Sequence, residues 1–186
     1  MNELISKRWS PRAFDAGAEV SDDELRTVLE AARWAPSHGN SQPSRFIVGH
    51  RGTETFDAIF DTLTRGNRTW AHRASVLLIG CVITRDARGD IPNVEFGLGL
   101  AMENMALQAT DLGLIAHMMG GFDERAAHTA FAMPGDVRPL VAMALGRQGD
   151  LSVLPDDLQA REQRERRRQP LSETVFTGTW GQSRFE

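Results

Sequence analysis

A chain of 186 residues, 41% hydrophobic and 25% charged, has the length and composition of one domain with a buried core. Its formal net charge of −4 argues against a general nucleic-acid binder, which needs a basic surface to neutralise phosphates. With no signal-type leader and no stretch of about 18 apolar residues, the expectation is a cytoplasmic protein that does not span a membrane.

The first informative stretch is Arg8-Trp9-Ser10-Pro11-Arg12-Ala13-Phe14. Arg8, Ser10 and Arg12 alternate, so in an extended backbone they leave on one side and can converge on one ligand. Pro11 favours that extension, because the residue before a proline avoids the α region. Two guanidinium forks suit a phosphate or a planar carbonyl edge. The alternative is ordinary surface arginines, solvated or paired with carboxylates. Lys7 is the sole lysine, so arginine is simply the common cation of this chain.

Ser21-Asp22-Asp23-Glu24 is a capping box, and Leu25, Val28, Leu29 and Ala32 continue it as a helix to about Trp34. Ala35 to Pro43 is a polar loop of turn formers. Arg45–Gly49 reads as a strand and Thr53–Arg65 as a helix, with Gly66-Asn67 as a break. Ala74–Ile83 is the continuous apolar run of a central strand buried on both faces, and Cys81 within it reads as an inert core thiol. Arg85 to Asn93 is a charged loop. Val94–Leu112 is apolar enough for a buried core helix shared with a partner subunit, capped by Gly113. Ile115–Met119 reads as a strand ending at Gly120-Gly121, Glu124–Phe131 as a helix, and Pro139–Leu145 as a second buried strand closed by Gly146. Residues 1–149 form the domain, and residues 150–186, without sustained period, an arm lying on something else. The order predicts an α+β sheet flanked by helices.

There is no HExxH, paired CxxC, GxSxG or P-loop. Binding groups without an evident acid, base or nucleophile point to an enzyme whose reactive atom belongs to a cofactor.

Arg8-x-Ser10-x-Arg12-x-Phe14, then Ala35-Pro36-Ser37-x-x-Asn40-x-Gln42-Pro43, then Asn67, then Gly120-Gly121-Phe122-Asp123, in this order, resemble the nitroreductase family of flavoproteins. The resemblance runs from about residue 5 to 150, with a weaker match in the tail. It implies an α+β fold with a central, mostly antiparallel sheet flanked by helices, in an intertwined homodimer holding two FMN groups at its interface. It also implies electron transfer from NADH or NADPH through FMN to a small-molecule acceptor, a nitroaromatic, quinone or similar compound, by a ping-pong cycle.

Carried over by residue, the resemblance gives Arg8 and Ser10 the ribityl phosphate and Arg12 the pyrimidine edge, where a cation stabilises the reduced flavin. Pro36, Ser37, His38, Asn40 and Gln42 would come from the partner subunit. Asn67 would reach the pyrimidine edge, and backbone amides around Met119, Gly120 and Gly121 would face flavin N5. Trp9 joins the cofactor-binding candidates, although Trp9 and Trp70 can each be core or ring-facing. Arg166 and Arg168 resemble a basic element completing the phosphate site, against the alternative of a solvated charge run. Ser44 stands where many relatives carry an aromatic. The resemblance also leaves room for a flavin dehydrogenase on the same fold, or for a flavin-storing or sensing dimer without turnover.

Overall fold

The computed structural model describes residues 1–185, so the last residue of the expected 150–186 arm lies outside the described residues. A five-residue helix, α1 (Glu3–Lys7), opens the chain and is followed by the extended segment from Arg8. The capping box closes as the sequence predicts. Ser21 Oγ accepts from the Glu24 amide, the Glu24 carboxylate accepts from the Ser21 amide, and α2 (Asp22–Arg33) follows. Strand β1 (Ser44–His50) leads to α3 (Glu54–Thr62), α4 (Arg65–Ala71) and β2 (Val76–Ile83).

Here the structure departs from the expectation of one helix to Arg65 followed by a break. The first helix stops at Thr62, and Gly66 and Asn67 lie inside the second. The cause is tertiary. Leu63 is extended and bridges Phe122, and the Thr64 amide donates to the Gly121 carbonyl at 3.0 Å, so the chain must leave helical geometry there and restart.

A two-residue hairpin of β3 (Arg85–Asp86) and β4 (Gly89–Asp90) precedes α5 (Val94–Asp111). Gly113, at φ +70°, makes the left-handed exit after α5. Strand β5 (Ile115–Met119), α6 (Glu124–Ala130) and β6 (Val137–Gly146) complete the domain. The main sheet runs β1-β2-β6-β5 with every pair antiparallel.

Strand β2 is interior, and its side chains divide by period two. Leu77, Ile79 and Cys81 join Phe14, Phe56, Ile59 and Trp70 under α3, α4 and α6. Val76, Leu78 and Val82 join Val28, Leu98, Met102 and Met105 under α2 and α5. Burial pushes the Cys81 thiol up to about 11, which keeps it protonated at neutral pH. The β2–β6 register shifts beside Gly80, where Val141 pairs with Gly80 and Pro139 with Cys81, leaving Leu140 as the extra residue.

The arm is less uniform than its composition predicts. It holds α7 (Asp156–Glu162), and Leu154 and Leu158 are buried in the same core cluster as Trp70. Most residues beyond Gln163 are exposed. No helix of the described residues is long and apolar enough to cross a membrane.

Candidate functional site

The segment from Arg8 to Phe14 is held from several sides. Phe14 is fully buried and stacks on Trp70 at 5.9 Å, and its carbonyl accepts from Arg73 Nε. Pro11 is buried, and its carbonyl faces His117 Nδ1 at 3.0 Å. Trp70 is therefore core, 1% exposed, with its ring 4.6 Å from that of His117. Trp9 and Ser10 are half-buried beside it in sequence.

Arg8 and Arg12 do not share a partner. Arg8 Nε lies 3.4 Å from Glu103 on α5, whereas Arg12 Nη1 lies 2.9 Å from Glu162 on α7. Alternation predicts a common direction, yet each guanidinium has found the carboxylate of a different helix.

Arg12 and Asn67 border one cleft of about 320 Å³, together with Gly66, Thr69, Asp157 and Arg161. Asn67 stands in the first turn of α4, and its Nδ2 donates to the Gly121 carbonyl at 2.9 Å. A carbonyl only accepts, so this bond fixes the carboxamide's orientation and leaves its oxygen as an acceptor. A Cβ on Gly121 would lie 2.9 Å from both Asn67 Nδ2 and Thr64 Oγ1, so glycine permits this close approach. Gly120 is exposed with open space where a side chain would stand, and Met119 before it is buried at the end of β5. Arg12, Asn67, Gly120 and Gly121 thus gather around the β5 side of the sheet.

The loop from Pro36 to Gln42 does not join them within the chain. It precedes β1, the opposite edge strand, and the sheet order puts about 14 Å of strand spacing between the two edges. Its bonds stay local. Ser37 Oγ accepts from the Gln42 amide, and Arg45 Nη1 donates to the Gln42 carbonyl. Asn40 and Gln42 both hold left-handed φ, at 54° and 50°, a conformation costly for non-glycine residues. Pro36, Ser37 and Gln42 line a groove against α2, and His38 and Ser41 face the β3–β4 hairpin.

The tail arginines separate. Arg166 reaches the N-terminal segment and donates to the carbonyls of Ser6 and Arg8 at 2.7 and 2.8 Å. Among the described residues, the exposed Arg168 finds only the Arg167 carbonyl.

Two buried groups escape the sequence reading. His117 is 8% exposed, and burial, with the Arg12 charge as a second cause, pushes it down from 6.5 to about 4. It is neutral at pH 7 and donates through Nδ1. A lone histidine between apolar strand residues is the signal that could have found it. The second group is Glu162, whose side chain is wholly buried. Nothing in the Arg, Glu and Gln run around it marks it out. Among the described residues no group of three or more His, Cys, Asp or Glu could hold a metal ion.

Comparison with known proteins agrees with this architecture. The sequence model of the Nitroreductase family matches residues 5–64 and 51–147, and the chain belongs to that family. An uncharacterised 15.4 kDa protein of Mycolicibacterium smegmatis is 38% identical over 146 residues, covering 74% of this chain and 97% of that one. A protein of Archaeoglobus fulgidus whose name pairs NADH dehydrogenase with NAD(P)H nitroreductase is 27% identical, covering 80% of this chain and 85% of its own. Among solved structures, an oxidoreductase containing FMN superposes with a TM-score of 0.92 at 35% identity, covering 98% of this chain and 94% of that chain.

Proposed function

We propose that this chain is an FMN-dependent oxidoreductase that takes hydride from NADH or NADPH and passes it to nitroaromatic, quinone or similar small acceptors. The observation that carries the reading is the cleft bordered by Arg12 and Asn67, with Asn67 holding the Gly121 carbonyl next to the side-chain-free Gly120. This donor and acceptor set fits a flat heterocycle with alternating carbonyl and N–H groups along one edge. The FMN-containing oxidoreductase and the Archaeoglobus protein's name support the cofactor and the donor.

FMN held in the cleft would supply the hydride-accepting chemistry of a ping-pong cycle. The chain's residues bind and orient. Arg12 places positive charge where reduction builds negative charge, and Asn67 offers its free oxygen to an N–H. Arg8, Ser10, Arg166 and Arg168 serve the phosphate, with Trp9 beside them. Arg166 already brings the arm to Arg8, which supports this part.

The reading includes a homodimer. Pro36, Ser37, His38, Asn40 and Gln42 lie at the sheet edge away from the cleft, so a second copy would bring them to it. Two features support that copy. Helix α5 is apolar on nearly all sides with Phe96 70% exposed, and Trp34 is 73% exposed. Residues 150–186 then act as an arm that completes the phosphate site and wraps the partner.

The test is the visible spectrum of the gently purified protein, followed by anaerobic addition of NADH and then NADPH. A yellow protein that bleaches and is recoloured by a quinone or nitroaromatic supports the reading. Bleaching without recolouring favours a flavin store or a missing physiological acceptor, and a protein that takes up no FMN on reconstitution overturns the cofactor assignment.

A further inference from the structure

The peptide unit joining Pro11 to Arg12 is gripped on both edges by buried side chains. From β5, His117 Nδ1 donates to the Pro11 carbonyl. From α7, Glu162 Oε2 accepts the Arg12 amide at 3.0 Å, and Oε1 accepts Arg12 Nη1 at 2.9 Å. The Glu162 side chain is 0% exposed while that of Arg12 keeps 27%, so the carboxylate is enclosed and the guanidinium still reaches the cleft.

Enclosing a carboxylate is expensive unless charge and hydrogen bonds compensate it. Among the described residues its hydrogen-bond partners are the two groups of Arg12. Docking α7 does not require this arrangement, since Leu158 on the same helix is already buried in the core. What an apolar residue could not do is orient a guanidinium and offset its charge. The cleft carries Arg12 and Arg161 against Asp157, with Glu162 behind Arg12. With Glu162 these four formal charges cancel, and without it they leave +1.

We infer that Glu162 is a positioning residue for Arg12: it fixes the Arg12 peptide plane and guanidinium and limits the positive charge that Arg12 presents to a ligand in the cleft. This rests on the FMN reading and deepens it, because the charge facing the flavin then depends on a residue of the arm. The pairing holds the reduction potential of bound FMN low, which keeps the reduced protein a ready donor to its acceptor.

Glu162→Gln retains the side-chain length and an oxygen for the Arg12 amide while removing the charge. The midpoint potential of bound FMN is measured by anaerobic titration against a reference dye, with the dissociation constant of oxidised FMN measured by fluorescence. The expected result is a more positive potential. Reduced FMN should gain roughly tenfold over oxidised FMN, as expected for one unit charge acting across about 12 Å at an effective dielectric of about 20, or about 30 mV for a two-electron couple. Glu162→Asp keeps the charge but withdraws the carboxylate by one methylene, and should hold the potential near wild type while weakening FMN retention roughly tenfold, the worth of one charge-assisted hydrogen bond. A Gln variant with the wild-type potential overturns the inference and leaves the flavoprotein reading intact. If the Gln variant does not fold, unchanged FMN retention by the Asp variant overturns it. A wild-type protein that takes up no FMN overturns both.

Discussion

Arg12 donates from its backbone and its side chain to the same carboxylate, while its guanidinium borders the cleft with Asn67. Replacing it with alanine leaves the buried Glu162 charge with only the backbone amide of residue 12, so Arg12→Ala should lose stability, by about 3 kcal/mol, as well as FMN affinity. Urea denaturation and FMN fluorescence titration read the two effects separately, and unchanged FMN affinity would remove Arg12 from the site. His117 gives a pH prediction with a defined sign. Its folded value of about 4 lies below the ordinary 6.5, so between those values the unfolded chain holds a proton that the folded chain does not. Stability attributable to His117 is complete above pH 6.5 and falls as pH drops toward 4, by roughly 3 kcal/mol in total. His117→Gln, which keeps an N–H donor, should flatten that part of the melting-temperature profile. The alternation of Arg8, Ser10 and Arg12 stands out in the sequence, but the convergence it predicts gives way to carboxylates on two different helices. His117 and Glu162 were not legible there, because their roles depend on partners 106 and 150 residues away.

Helices and strands follow local rules wherever local rules are strong. The α2 capping box, the apolar run of β2 and the glycine after α5 could all be read directly. Ser21→Ala should cost about 1 kcal/mol in urea denaturation, the usual worth of such a cap. The boundary between α3 and α4 shows where local reading ends, since the main chain after β5 imposes it by pairing with Leu63 and Thr64. The same contact gives an element-scale test. In Gly121→Ala the added methyl must displace the ends of Asn67 and Thr64, both of which are side-chain atoms that can move. The fold should survive with a loss of about 1 kcal/mol, while FMN affinity drops as Asn67 loses its hold on the Gly121 carbonyl. Equal FMN affinity in the variant would show that Asn67 does not face the ligand.

Across the molecule, the sheet separates the two groups of candidate residues. Arg12, Asn67, Gly120 and Gly121 gather on the β5 side, and the loop from Pro36 to Gln42 belongs to β1 at the far edge. Sequence order alone could not reveal this, because motifs adjacent in a pattern need not be adjacent in one subunit. The homodimer proposal turns that separation into a measurement. Sedimentation equilibrium should give twice the chain mass, and Phe96→Asp, on the exposed side of α5, should shift it toward the monomer and release FMN with it. A monomeric wild-type protein that still retains FMN would require the loop to act elsewhere.

The bond from Glu162 to the Arg12 amide spans nearly the whole described chain. A ribosome releases residues in order, and the strands of the main sheet, 44 to 146, are all made before α7. The cleft therefore cannot be complete before α7 has been made. A nascent chain can hold all four strands of the sheet while Arg12 still lacks its buried anchor.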